Sequence, residues 1–227
     1  MLIVYVNGDS HSAGAEAIND CSFANDDYLY HSLGRKPHPD NERVSYGCVL
    51  ANTLGAVLHC DAESASSNSR ILRTTRAYLK NHKPDMIIIG WSTWEREEWL
   101  HDNVYWQVNS GGVGHDWPDV IKERYKDYII NVNWETAERQ AHGQIFEFHE
   151  ELTDLKIPHL FFNTFSWFKY PSQKNWDNSY IYPYNEKFTY WQWLTNNGFK
   201  SLPTYHFRAD AHEKWAKFLL AYLTQMF

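Results

Sequence analysis

The sequence predicts a doubly wound α/β fold, a three-layer α/β/α sandwich built on a parallel sheet of about five strands. Three observations carry that expectation. Short apolar runs rich in β-branched and aromatic residues recur along the chain. Amphipathic helical patterns fall between them, and turn-forming or polar residues close each run.

In chain order, LIVYV (2–6) is the first strand, and it breaks at Asn7-Gly8-Asp9-Ser10. SYGCVLANTLG (45–55) is a helix with Gly55 as its stop, followed by a weaker strand, AVLHCDA (56–62). NSRILRTTRAYLKNH (68–82) is a helix ending before Pro84, and MIIIG (86–90) is the third strand. TAERQAHGQIFEFHEELTDL (136–155) is a long amphipathic helix leading to a fourth strand, HLFFNTF (159–165). DAHEKWAKFLLAYLTQMF closes the chain as a helix whose apolar residues Ala211, Trp215, Leu219, Tyr222 and Leu223 step by three or four. Two stretches, 24–43 and 166–187, do not fit this alternation. Their aromatic content argues for ordered loops over the sheet rim.

At 227 residues the chain is read as one domain, residues 1–227. The 21 Lys and Arg residues against 28 Asp and Glu argue against nucleic acid as a partner. The one cationic cluster, Arg70, Arg73 and Arg76, marks a helix face. Three cysteines with no paired motif fit a reducing compartment. The opening apolar run of about five residues is too short for a signal core, and no run reaches the roughly 20 residues of a membrane span. The expectation is a soluble cytoplasmic protein that binds no membrane. Aromatic residues make up 17% of the chain, enough to line a cleft as well as a core.

In a doubly wound sheet, ligands bind at the carboxyl ends of the strands. Ser10 follows the first strand and Ser92 follows the third, so both belong at that rim. Gly8 permits a tight turn, and a helix start beside Ser10 supplies N–H groups. AESASSNSRI (62–71) offers small residues and Asn68, as an oxyanion donor or as a helix cap. In IIIGWSTWEREEW (87–99), Gly90 ends a strand and the acidic residues read as a solvated helix start. The three tryptophans there are more than that role needs. Late in the chain, His206 precedes the last helix and His212 lies on it. His11, His101-Asp102 and His115-Asp116 show no metal-ligand spacing, so neither a metal nor a cofactor is expected.

This order of motifs resembles the SGNH (GDSL-type) hydrolases, which implies a flavodoxin-like fold and ester hydrolysis. On that resemblance Ser10 is the nucleophile, flanked by Asp9. The N–H groups of Ser10 and Ala65 with Ser92 form the oxyanion hole, after Gly90, and His206 is the base. Ser92 replaces the family's asparagine, and Thr204 stands where its aspartate is expected. A backbone carbonyl is then expected to orient His206, leaving a Ser–His dyad. A rival register takes Asp210 and His212 as the pair. Segments such as SSNSRILRTT and GWSTWEREE resemble SGNH-like proteins of tailed phages, which implies a phage-encoded esterase acting in the host cytoplasm or on the virion. A glycan O-acetyl group or another small-molecule ester is the implied substrate. The alternative is a catalytically weakened fold that binds as an accessory protein. Nothing in the sequence fixes the oligomeric state.

Overall fold

The computed structural model describes residues 1–24, 33–110, 117–169 and 173–226. The chain runs β1 (Ile3–Gly8), α1 (Ser10–Ala13), α2 (Pro39–Glu42), α3 (Tyr46–Thr53), β2 (Val57–Cys60), α4 (Asn68–Leu79) and β3 (Met86–Trp91). It continues through β4 (Glu97–His101), β5 (Val104–Val108), α5 (Asp119–Asn131), α6 (Trp134–Asp154), β6 (His159–Asn163), α7 (Tyr190–Asn196) and α8 (Ala209–Met226).

Strands β2-β1-β3-β6 pair in that order, all parallel. This is the doubly wound order, with its switch point between β1 and β3. Where about five strands were expected, four pair fully among the described residues. The fifth position is reduced to one parallel bridge between Phe161 and Tyr180. Tyr180 lies in the predicted rim loop 166–187. Residues 170–172 of that loop, and 25–32 of the loop at 24–43, fall outside the described residues.

Side chains of a strand alternate between faces, and here both faces are buried. Val4, Val6, Ile88, Leu160 and Phe162 pack with α3, α7 and α8. Tyr5, Ile87, Ile89, Trp91 and Phe161 pack with α4 and α6. Each such aliphatic side chain contributes roughly 1.5–3 kcal/mol of transfer free energy. Ser67 caps α4 through the Arg70 N–H, and Asn133 caps α6 through the Thr136 N–H. Asn133 starts α6 two residues earlier than the expected boundary at 136.

The described residues of the segment 92–131 depart from the sequence reading. The acidic stretch after Gly90 is not a helix start. It leads into an antiparallel hairpin, β4–β5, followed by α5. Trp99, Val108, Trp117, Ile121 and Tyr125 form a small core of their own there. The predicted cationic face of α4 is also neutralised. Arg70 pairs with buried Glu63 at 2.5 Å, Arg73 with Glu98 at 2.6 Å and Arg76 with Glu151 at 2.9 Å.

Candidate active site

Gly8 and Gly90 sit side by side in the β1–β3 register, and together they make room for α1. A Cβ on Gly8, whose φ is +154°, would lie 2.1 Å from Ser12 Oγ, and one on Gly90 would lie 2.6 Å from the same atom. Ser12 Oγ fills the space these glycines leave and accepts a 2.7 Å hydrogen bond from Tyr46 OH. The sharp turn that follows sets Ser10 at the first helical position. Asp9 caps the helix and takes the N–H groups of His11, Ser12 and Ala13, but not that of Ser10. The Asp9 carboxylate is buried and also accepts from Thr164 Oγ1 at 2.9 Å and from Arg96 Nη1 at 3.4 Å.

His206 arrives on the turn between α7 and α8. The Leu202 N–H donates to His206 O at 2.8 Å and the Tyr205 N–H to Leu202 O at 2.9 Å, with Tyr205 held at φ +67°. The orienting group is a carboxylate, not the expected backbone carbonyl. Glu16 Oε2 lies 3.0 Å from His206 Nδ1. A carboxylate only accepts, so Nδ1 carries the proton and Nε2 is left as the basic nitrogen. The Thr204 hydroxyl donates to the same Glu16 oxygen. Burial pushes the Glu16 carboxyl up, but hydrogen bonds from His206 and Thr204 outweigh it and hold the group below its usual range. Glu16 follows the left-handed Gly14 that ends α1 and has φ +61° itself. Its backbone carbonyl accepts from Arg208 at 2.8 Å, which ties the two turns together.

Ser10 and His206 line one cavity of about 600 Å³, although no direct hydrogen bond joins them among the described residues. Such bonds commonly tighten only when substrate is present. One wall comes from the sandwich, with Phe165, Tyr205 and Thr204. The facing wall comes from the 92–131 segment and the start of α6, with Arg96, Asn109, Tyr125, Ile129 and Trp134. His11 also lines the cavity, with its ring centroid 5.4 Å from that of His206. Burial drives its pKa down to about 4, so it stays neutral at pH 7 and places no second charge against His206.

The remaining sequence candidates separate. Ala65 adopts φ +62°, a backbone region that favours glycine, and is buried outside the cavity lining. Asn68 and Ser92 are committed to each other. The Asn68 amide donates to Ser92 O at 3.1 Å, and the Ser92 N–H donates to Asn68 Oδ1 at 2.9 Å. Asn68 also begins α4, but the cap is Ser67. The rival pair does not meet: Asp210 accepts from the Ala211 N–H, while His212 is buried against Tyr46 and Tyr190. Burial drives His212 to about 3, and its Nδ1 accepts from the Tyr46 N–H at 3.4 Å.

Trp91 and Trp99 are core residues and Trp94 stacks on Phe168, so none of the three lines the cavity. His101 pairs with Asp102 at 3.3 Å, and His115-Asp116 lies outside the described residues.

Sequence reasoning missed two residues of this site. Glu16 had a faint signal, a carboxylate in the small-residue stretch GAEA just behind Ser10. Arg96 stands in the GWSTWEREE stretch singled out in the sequence, but its acidic surroundings read as solvated and it was given no role.

No family model matches the chain, and no curated protein matches it in sequence. Solved structures of similar shape include a carbohydrate esterase described as having divergent catalytic and non-catalytic binding functions. It is 16% identical over 99% of this chain and 68% of its own, with a TM-score of 0.49. A second is a carbohydrate esterase family 2 enzyme with a carbohydrate-binding domain from Corynascus thermopiles (Myceliophthora fergusii), 16% identical over 98% of this chain and 67% of its own, with a TM-score of 0.42. A third is the acetyl xylan esterase Est2A from the rumen bacterium Butyrivibrio proteoclasticus, 13% identical with a TM-score of 0.44. All of this chain aligns to 65% of that enzyme, so it spans less than two thirds of the enzyme's length.

Proposed function

We propose that the protein is a serine esterase acting through Ser10, His206 and Glu16. The observation that carries this reading is the Glu16–His206 pair at 3.0 Å in the cavity that Ser10 lines. Glu16 keeps the Nδ1 proton in place and stabilises the imidazolium that forms. His206 Nε2 takes the Ser10 proton as Oγ bonds to the ester carbonyl carbon. The tetrahedral oxyanion collapses, the C–O bond to the alcohol breaks, and His206 returns the proton to the leaving oxygen. Water then enters with His206 as base, and the acid leaves with Ser10 restored. The Ser10 N–H, which Asp9 does not use, supports one oxyanion contact.

The cavity walls favour an acylated sugar as substrate. Phe165, Tyr205 and Trp134 line the cavity and are 37%, 59% and 40% exposed, which leaves aromatic surface for the C–H groups of a pyranose. A non-catalytic binding role is the second reading, favoured by the mutual locking of Asn68 and Ser92.

The test is hydrolysis of p-nitrophenyl acetate and of an O-acetylated xylo-oligosaccharide by the parent, Ser10→Ala and His206→Ala. Turnover lost in both variants with the fold intact is expected. Equal rates in parent and Ser10→Ala defeat the esterase reading. Sugar binding without turnover in the parent establishes the second.

A further inference from the structure

Of the neutral donors expected to hold an oxyanion, Ser10 lines the cavity, whereas Ala65 does not, and Asn68 and the Ser92 N–H are paired with each other away from its lining. A charged donor lies in the same cavity instead. Arg96 Nη1 donates to Ser92 Oγ at 3.1 Å and to Asp9 Oδ2 at 3.4 Å, beside the nucleophile. Its side chain is only 25% exposed, and Asp9 is buried, so the guanidinium is held at a fixed place. A guanidinium has five N–H donors in a planar fork. Nε and Nη2 make no hydrogen bond among the described residues, so they remain available to a ligand in the cavity. Asp9 does not saturate the charge, since its oxygens also accept from Thr164 and from the His11 N–H.

We infer that Arg96 is an oxyanion donor of this site, taking over from the amide side chain that Ser92 replaces. This rests on the esterase reading above. The guanidinium carries its charge throughout the cycle, and the negative charge it meets exists only once Ser10 Oγ has added to the carbonyl. Its contribution therefore falls on the transition state and not on substrate binding. An anchor for a substrate carboxylate is the contrasting role, and it would fall on KM.

The experiment is a double-mutant cycle on p-nitrophenyl acetate hydrolysis with the full chain: parent, Arg96→Gln, Asp9→Asn and the double variant, with Arg96→Lys alongside. Removing one oxyanion donor lowers kcat by roughly 100-fold or more, and that loss is expected in Arg96→Gln with KM changed only a few-fold. Arg96→Lys, which keeps the charge and a contact to Asp9, retains intermediate activity. The Arg96→Gln loss persists in the Asp9→Asn background, and the affinity of phenylboronic acid, which forms an anionic tetrahedral adduct on serine, falls in parallel. If the loss vanishes once Asp9 is neutral, Arg96 acts only by holding the Ser10 turn, and the inference is overturned. A rise in KM at constant kcat overturns it equally. Parent activity with unaffected Arg96 variants defeats this inference alone, whereas a parent no faster than Ser10→Ala defeats the esterase reading and this inference with it.

Discussion

The two walls of the cavity are built on different principles. The sandwich wall brings Ser10, Glu16 and His206 on turns whose geometry the backbone dictates. Gly8 and Gly90 leave no room for a Cβ, and Glu16 and Tyr205 sit at positive φ. The wall from residues 92–131 rests on a small aromatic core of its own. Polar side-chain contacts tie it to the sandwich. Arg73 chelates Glu98 at 2.8 and 2.6 Å, Gln107 Nε2 donates to Ser64 O at 2.6 Å, and Arg96 reaches Asp9. On the proposed reading, the constrained wall carries Ser10, His206 and Glu16, while the attached one shapes the substrate space and reaches the chemistry only through Arg96.

That division breaks most visibly at Glu16. Glu16→Gln keeps the size of the side chain but cannot stabilise a protonated His206, so kcat is expected to fall by roughly 100- to 10,000-fold with KM little changed, as steady-state kinetics would read. An unchanged kcat would return the site to a Ser–His dyad.

Gly8→Ala tests the backbone constraint. Strain at positive φ and the overlap with Ser12 Oγ together cost about 3 kcal/mol, read as a lowered urea midpoint with an unchanged slope. A substitution that leaves the midpoint in place shows that α1 can shift and that the turn is not the fixed element described.

Acid should unfold the sandwich through its buried histidines. Burial lowers His11, His142 and His159 to about 4 and His212 to about 3, against the usual 6.5. Below pH 6.5 the unfolded chain therefore binds protons that the folded chain refuses, and stability falls as pH drops toward 4. Glu16, whose folded value is lowered, adds stability above its unfolded pKa that is lost as pH falls through the folded one. Tm measured from pH 7 to 4 should decline throughout; a flat profile contradicts the neutral burial of these rings.

The smallest effect belongs to the attached wall. Gln107→Ala strands the buried Ser64 carbonyl at a cost of about 1–3 kcal/mol. It should raise KM for a sugar ester more than it lowers kcat. The reverse pattern would show that this contact also positions Arg96 and does not serve the substrate space alone.

How far the sequence could be read follows the same division. The strands of the sandwich were legible because both faces are buried, so their apolar runs are continuous. The placement of Ser10 and His206 at the sheet rim was legible from their positions at the ends of elements, and both line one cavity. Residues 92–131 were not, because GluArgGluGlu reads as a solvated helix start, while in the fold Trp99, Trp106 and Tyr125 bury one side of a hairpin and α5. Glu16 was missed for a different reason. It stands 190 residues from His206 in the chain, and no local pattern reports a contact between two turns at that separation.

The account stands or falls on Ser10 as a nucleophile activated by His206 with Glu16 behind it. Labelling with a fluorophosphonate probe, followed by peptide mass spectrometry, measures this directly on the parent, His206→Ala and Glu16→Gln proteins. One adduct per chain is expected, on Ser10, formed much more slowly without His206 and at an intermediate rate in Glu16→Gln. A parent that takes up no probe, or that labels Ser10 at the same rate in all three proteins, would contradict it.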